Sequence, residues 1–173
     1  MTKQELEQCI SEYGKDIYSF CRHLTYDQQE ADDLYQDTFL KAIELQQKIA
    51  YKDQTKSYLI GIAIRIWKNR KRKYAWRNRI AAVERMVEER DEAVPEEWAS
   101  SPEEAYISKE ECLLVRDKVD ALPEKLKLCV LLFYMEELSV GEIAHLLKVP
   151  EGTVKSRLYQ ARKRLEKELE DVL

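Results

Sequence analysis

Hydrophobic residues recur at three- and four-residue steps in the first part of the chain, a spacing that predicts amphipathic helices. A first helix is predicted from Gln4 to Leu24, with the apolar series Leu6, Cys9, Ile10, Tyr13, Ile17, Phe20, Cys21 and Leu24. A second is predicted from about Gln28 to Gln47, with the inward series Ala31, Leu34, Tyr35, Thr38, Ala42 and Leu45. A polar loop from about Lys48 to Thr55 then leads to a third helix with the apolar seam Leu59, Ile62, Ala63 and Ile66.

The C-terminal part of the chain predicts two short helices joined by a tight turn. Pro123 opens a preceding helix at a first-turn position, where its missing N–H is tolerated. Ser139 and Glu142 then have the S-x-x-E spacing of a capping box, followed by the apolar stripe Val140, Ile143, Ala144 and Leu147. The next helix is predicted to begin at Pro150, after a turn of about Lys148 to Val149. This arrangement is typical of a helix-turn-helix.

The overall pattern predicts an all-α fold with two small helical domains. The 173 residues include only four Gly and four Pro, and no apolar run alternates with the period of a strand. The segment from Glu84 to Tyr106 is acidic and contains Pro95 and Pro102, which indicates a linker. We therefore expect a first domain at 1–80, an acidic linker at 81–106 and a second domain at 107–173.

Charge is strongly segregated along the chain, although the formal net charge is only −4. Residues 1–40 carry a net charge of −6, residues 41–80 of +10, residues 81–120 of −8 and residues 121–173 of 0. Such blocks indicate separate binding surfaces more than a uniformly solvated shell.

Several classes of site are disfavoured by the composition. No run approaches the roughly 18 apolar residues of a membrane span, and the N-terminus lacks the apolar core of a signal peptide, so we expect a cytoplasmic protein without membrane insertion. The four cysteines form no CxxC pair and lie at apolar helical positions (Cys9, Cys21, Cys112 and Cys129), which predicts core thiols. We expect no metal site and no cofactor.

The segment from Val149 to Leu165 combines an apolar face with many cations. Val154, Leu158, Ala161 and Leu165 share one side of the predicted helix, whereas Ser156, Gln160 and Lys163 point the opposite way. Cationic and polar side chains flank that outer side: Lys155, Arg157, Tyr159 and Arg164. The alternative is a solvated C-terminal helix whose cations are favoured by the helix dipole. The capped helix and tight turn before it favour a recognition helix that contacts DNA.

The order of these motifs resembles bacterial RNA polymerase sigma factors of the extracytoplasmic-function type. One segment of this chain, LPEKLKLCVLLFYMEELSVGEIAHLLKVPEGTVKSRLYQARKRL, resembles region 4 of that family. Another, EADDLYQDTFLKA, resembles region 2.2. Regions 2.3 and 2.4 are similar to SYLIGIAIRIWKNRKRK, and SPEEAY resembles the end of the family's inter-domain linker. The resemblance implies that the first domain binds core polymerase and reads and melts the −10 element, and that the second reads the −35 element. It further implies contacts to the β′ clamp helices and β flap, and inhibition by a membrane-associated anti-sigma factor.

Candidate binding residues follow from the faces and from the resemblance together. The outward face of the second helix carries the residues expected at core polymerase: Asp33, Gln36, Asp37 and Leu40. An outward Leu among carboxylates suits a partner with an apolar centre and a basic rim; the alternative is an ordinary acidic helix face. The basic third helix and preceding loop carry the residues expected at the −10 element: Tyr51, Tyr58, Arg65, Lys68, Asn69, Lys71, Arg72 and Trp76.

Cations combined with aromatics are typical of single-stranded nucleic acid binding. Of the aromatics Trp67, Tyr74 and Trp76, we expect at least one to pack in the core instead. The loop from Ala50 to Ser57 is where the family captures a flipped base. The residues expected at the −35 element are Thr153, Lys155, Ser156, Arg157, Tyr159, Gln160 and Lys163.

Three positions depart from the family pattern. Tyr58 stands where Trp is common, Arg65 where Asn is common, and Gln160 where Arg or His is frequent. The first two bear on −10 melting and the third on the −35 sequence. A stand-alone dimeric helix-turn-helix regulator is the competing interpretation, but it would not need the acidic face with Leu40 or a remote basic aromatic helix. An enzyme is disfavoured, because no nucleophile–base pair, metal-ligand spacing or phosphate-binding loop is present in the sequence.

Overall fold

A computed structural model describes residues 2–25, 27–45, 55–81 and 109–172. The described residues are helical and contain no strand, which confirms the all-α prediction. Backbone contacts divide the chain into two compact units, 1–88 and 89–173, each with its own core. Apart from Ala81, the linker predicted at 81–106 lies outside the described residues.

The first unit is a bundle of three helices, α1 (Lys3–Leu24), α2 (Gln28–Glu44) and α3 (Thr55–Ala81). Side chains cap the first two helices: Thr2 accepts a hydrogen bond from the Glu5 N–H, and Asp27 accepts one from the Glu30 N–H. The predicted seams meet in the centre of the bundle, where the largest fully buried side chains are Ile17, Phe20, Leu34, Leu59 and Ile60.

A close approach of α1 and α2 depends on Gly14. A Cβ at this position would lie 3.0 Å from the Tyr35 hydroxyl, a distance that real Cβ atoms rarely reach. The Tyr35 ring packs edge-on against Tyr18 and Phe39, with centroids 5.6 and 4.9 Å away. The Tyr18 hydroxyl in turn donates a 2.8 Å hydrogen bond to Asp32. Gly14 therefore makes room for an aromatic cluster that locks the two helices together.

The second unit contains α4 (Lys109–Asp120), α5 (Glu124–Val130), α6 (Val140–Leu147) and α7 (Glu151–Glu170). Helix α5 runs directly into a π-helical turn, Leu131–Met135, in which the Glu136 N–H donates to the Leu131 carbonyl. This turn was not predicted, because a continuous apolar run such as LLFYM has no periodicity that would distinguish a π-helix from an α-helix. The core of this unit includes Leu126, Leu132, Ile143, Val154 and Leu158.

The predicted helix-turn-helix is present as α6 and α7, with small corrections at the helix starts. Lys148 ends α6 in the left-handed conformation (φ 56°), and Pro150 is the N-cap of α7, not its first helical residue. Pro123 likewise is the N-cap of α5, so the prediction was wrong by one position there. Both prolines have extended ψ angles, which place them just outside the helices that follow.

Other differences concern exposure and the start of α3. Cys9, Cys21 and Cys129 are buried as expected, but Cys112 is exposed, so the core-thiol prediction was wrong for α4. Ile10 is exposed because it lies at the edge of the α1 seam. Helix α3 already begins at Thr55, so the end of the predicted 50–57 loop is helical.

Within the described part of the chain, no helix combines the length and the apolar character that crossing a bilayer would require.

Candidate nucleic-acid and partner interfaces

The outward face of α2 presents the predicted partner residues to solvent. Asp33, Gln36, Asp37 and Leu40 are all exposed, because the opposite side of the helix is fixed in the bundle by Ala31, Leu34, Thr38 and Ala42. Leu40 leaves 58% of its surface exposed beside these carboxylates.

Ile43 enlarges this apolar centre and was missed by the sequence analysis. It follows Leu40 by three residues, so the two side chains are neighbours on the helix surface. Ile43 is 38% exposed. The three-residue spacing alone could have identified it, since any residue three positions after an outward Leu shares its side. Beside this pair, Lys41 and Glu44 form a 2.6 Å ion pair.

Asp33 and Asp37 have different surroundings despite their shared face. The Asp37 carboxylate is ion-paired with the guanidinium of Arg70 on α3. Asp33 lies one turn earlier and is exposed. The sequence could not reveal the pair, because its two members are 33 positions apart and meet only when α2 packs on α3. The acidic face therefore has one carboxylate fixed by a cation of the neighbouring helix.

The C-terminal part of α3 extends past the core of its bundle. Trp67 is the last buried residue of the helix whose side chain is described, and the segment from Lys68 to Arg79 contains none. Lys and Arg supply seven of these twelve residues, and none is Asp or Glu. Like charges at this density repel one another along a helix, and a polyanion such as nucleic acid would relieve that repulsion.

One side of α3 presents a continuous stripe of predicted −10 residues. Tyr58, Arg65, Asn69, Arg72 and Trp76 follow one another at steps of seven, four, three and four residues, which keeps them on one side of an α-helix. All five are exposed, Trp76 by 65%. At a rise of 1.5 Å per residue the stripe is about 27 Å long. Lys68 lies exposed at its edge. We call these five residues the α3 stripe.

Lys71 is the predicted −10 residue that lies away from the α3 stripe. Its ammonium group sits 4.7 Å from the centre of the Trp67 ring, a cation–π contact on the other side of the helix. Trp67 is only 8% exposed and is thus the aromatic that packs in the core. Tyr74 is exposed but, two residues before Trp76, points to nearly the opposite side. Tyr51 lies outside the described residues.

In the second unit, α6 and the first half of α7 pack as the helical wheel predicted. Val154, Leu158 and Ala161 are buried, while Leu165 is half-buried. A Cβ on Gly141 would lie 3.3 Å from the Glu151 carboxylate, so the two helices meet closely at their N-termini. By contrast, a Cβ on Gly152 would meet nothing within 4 Å, which leaves open space beside the start of α7.

The predicted −35 residues on the outer side of α7 differ in their exposure to solvent. Lys155 and Lys163 are exposed, whereas the remaining five are half-buried: Thr153, Ser156, Arg157, Tyr159 and Gln160. The Nε of Arg157 is buried and has no hydrogen-bond partner among the described residues. Lys163 lies 5.8 Å from the Tyr159 ring centre and 3.4 Å from a Glu166 oxygen. A phosphate contact by Lys163 would therefore compete with Glu166.

The described residues provide no cluster of three or more His, Cys, Asp or Glu side chains that could hold a metal ion. They do present an acidic face with an apolar centre, a basic aromatic stripe, and a cationic helix after a tight turn.

Two family models match the chain. The model described as Sigma-70 region 2 matches residues 9–77, and that described as Sigma-70, region 4 matches residues 112–165. The first match contains the α3 stripe and the exposed side of α2, which we call the α2 face (Asp33, Gln36, Asp37, Leu40 and Ile43). The second contains α6 and the cationic part of α7.

Similar proteins match over nearly the full length. The ECF RNA polymerase sigma factor SigW of Bacillus subtilis is 31% identical over 164 residues, covering 92% of this chain and 86% of the relative. The RNA polymerase sigma-H factor of Pseudomonas aeruginosa is 29% identical over 174 residues, covering 99% and 89%. Among solved structures, the sigma factor RpoE of Bartonella quintana, in complex with the anti-sigma factor NepR, has a TM-score of 0.72 at 21% identity and covers 95% of this chain and 96% of that one.

Proposed function

This chain belongs to the extracytoplasmic-function sigma factors of RNA polymerase, and from that premise we propose how its surfaces divide the work of promoter recognition. As a member of that family it binds core RNA polymerase and directs promoter-specific transcription initiation. The residues that carry out each step, and the partners of each surface, are our proposal. Its contribution is binding, without catalytic chemistry of its own.

The α2 face is proposed to bind the clamp helices of the β′ subunit, with the second unit contacting the β flap. The observation that carries this proposal is the exposure of Leu40 and Ile43 beside Asp33, Gln36 and Asp37. A protein interface commonly combines an apolar centre with a polar rim, and this face presents both within about three turns of one helix. The acidic rim suits a basic partner surface, because complementary charge speeds association and fixes orientation.

The α3 stripe is proposed to bind and open the −10 element, together with Lys68, Lys71 and Tyr51. Arg65 and Arg72 would neutralise phosphates, and Trp76 and Tyr58 would offer aromatic faces on which unstacked bases can lie. Helix α7 is proposed to enter the major groove at the −35 element. There Gln160 and Ser156 would reach base edges, while Thr153, Lys155, Arg157, Tyr159 and Lys163 would face the backbone or neighbouring bases.

Regulation is proposed to occur through a membrane-associated anti-sigma factor acting on this protein in the cytoplasm. The fold is shared with RpoE, whose structure was solved with the anti-sigma factor NepR bound. A protein held in this way would begin transcription only when its inhibitor is removed.

The experiment for the α2 face is a binding titration with core RNA polymerase. Asp33→Lys should weaken binding at least tenfold, since a like charge would meet the basic rim at a cost of several kcal/mol. Glu7→Lys, the same charge reversal at an exposed site on α1, is the matched control and should bind as the unaltered chain does. Equal affinity of Asp33→Lys and Glu7→Lys would overturn the assignment of this face.

A further inference from the structure

Arg70, in the basic segment from Lys68 to Arg79, forms an ion pair with another helix of its bundle. Its guanidinium pairs with Asp37 on α2, and the two side chains are 39% and 49% exposed. Its neighbour Arg72 is exposed on the α3 stripe. Two arginines separated by one residue on the same basic helix thus face different surfaces.

The charge of Arg70 also interacts with a side chain of α1. Burial raises the pKa of the Cys21 thiol to about 12, and the positive charge of Arg70 opposes that rise. Arg70 therefore lies where α1 and α2 meet α3, at the edge of the bundle and away from the α3 stripe.

We propose that Arg70 is a positioning residue of the polymerase-binding face and not a DNA contact. It holds the Asp37 carboxylate in one orientation beside Leu40, so that the face is organised before the partner arrives. An ionised carboxylate has about four acceptor positions, so one guanidinium leaves room for a donor from the partner. This inference rests on the proposed role of the α2 face.

Pre-organisation has a measurable consequence for affinity. Immobilising a side chain on binding costs about 0.5–1.5 kcal/mol, which corresponds to roughly a two- to twelvefold change in affinity. Arg70→Ala should therefore weaken binding to core polymerase by about that factor. Because an exposed ion pair adds little to stability, the thermal unfolding midpoint should change little.

The test is a double-mutant cycle with core polymerase as the probe. Arg70→Ala should weaken binding in the unaltered chain but have no effect in an Asp37→Asn background, because it acts through that carboxylate. Arg70→Lys, which keeps the charge, should restore part of the affinity. If Arg70→Ala does not fold, Arg70→Gln replaces it in the same cycle. An equal loss in both backgrounds, or no loss in either, would overturn the inference.

A second measurement separates positioning from DNA contact. Binding of the full chain to a labelled single-stranded oligonucleotide is measured across a series of salt concentrations. Arg72→Ala should reduce the slope of log K against log salt by about 0.7, the value for one phosphate contact on a single strand. Arg70→Ala should leave the slope unchanged, and a reduction equal to that of Arg72→Ala would contradict the proposal.

The Asp33→Lys titration keeps the two hypotheses apart. If Asp33→Lys binds core polymerase normally, the α2 face itself is misassigned. If Asp33→Lys fails to bind but the Arg70 cycle shows no coupling, the face stands and only the positioning role of Arg70 is refuted.

Discussion

The Ser139 hydroxyl accepts a hydrogen bond from the backbone N–H of Glu142, and the Glu142 carboxylate accepts one from the N–H of Ser139, at 3.2 and 2.8 Å. This reciprocal cap fixes the first turn of α6 and hence the start of the helix-turn-helix. The hydrogen bond that the Ser139 backbone N–H donates to this carboxylate holds the pKa of Glu142 below its ordinary value, and the Ser139 side chain adds to the effect.

The capping box should make the free energy of unfolding fall as the pH is lowered into the acid range. A carboxylate whose pKa is lower in the folded state stabilises the fold above its unfolded pKa of about 4.3, and this stabilisation is lost as the pH falls through the folded pKa. Glu142→Gln keeps an acceptor but removes the charge, so its unfolding free energy should decline less steeply below pH 5. Ser139→Ala should cost about 1 kcal/mol at pH 7. Urea titrations followed by circular dichroism check both variants, and identical pH profiles for Glu142→Gln and the unaltered chain would refute the linkage.

Substitution of Trp67 should affect mainly stability, whereas substitution of Trp76 should affect mainly strand opening at the promoter. Trp67→Ala removes a buried side chain and should cost about 3–5 kcal/mol. Trp76→Ala should leave stability within about 0.5 kcal/mol but reduce the permanganate reactivity of −10 thymines, because base stacking on the indole is lost. Tyr74→Ala is the matched control, because Tyr74 is a similarly exposed aromatic residue outside the α3 stripe. The promoter should open normally with this variant. An intact bubble in Trp76→Ala would remove that residue from the proposed site.

Helix α7 should read sequence through Gln160. Gln can pair bidentately with adenine and Arg with guanine, each worth about 1–3 kcal/mol of discrimination. Gln160→Arg should shift one −35 position from A towards G in a randomised selection. Lys163→Ala should weaken all sequences alike, as expected for a phosphate contact. Leu158→Ala, at a fully buried position, should instead destabilise the unit by about 2–5 kcal/mol. Unchanged base preferences in Gln160→Arg would mean that this side chain does not reach the bases.

The cysteines should differ sharply in reactivity. Cys112 is exposed, so iodoacetamide should label it first in the native protein. Cys9, Cys21 and Cys129 are buried, and burial raises the pKa of Cys21 to about 12, which keeps that thiol neutral. Mass spectrometry of briefly labelled protein, with a urea-unfolded sample as the control, measures the order. Labelling of Cys21 as fast as Cys112 under native conditions would contradict the packing of α1.

The helices and their buried faces could be predicted from sequence because periodicity records burial directly. Ile17, Leu34 and Leu59 lie on apolar seams that repeat every three to four residues, and all three are fully buried. The start of α6 was predictable because a capping box is local, with both partners three residues apart. The outward position of Leu40 followed from the same helical geometry.

Features that depend on packing between helices could not be predicted. The pairing of Asp37 with Arg70 joins residues far apart in the sequence, and only the packing of α2 on α3 brings them together. The exposure of Cys112 is a second case, since an apolar residue in a helical pattern does not show whether another helix covers it. The π-helical turn after α5 is a third, because it replaces one hydrogen-bond register by another without changing the residue pattern.

The measurement that tests the central claim most directly is reconstitution of transcription from purified core RNA polymerase and this chain on a library of promoters randomised at the −35 and −10 elements. Permanganate footprints and sequenced transcripts report strand opening and the start sites. We expect the chain to direct initiation from a defined subset of promoters with an open bubble at the −10 element, and Asp33→Lys to abolish it. Initiation no more selective than that of core polymerase alone, or sequence-specific duplex binding by a dimer of the chain that core polymerase does not influence, would contradict the account.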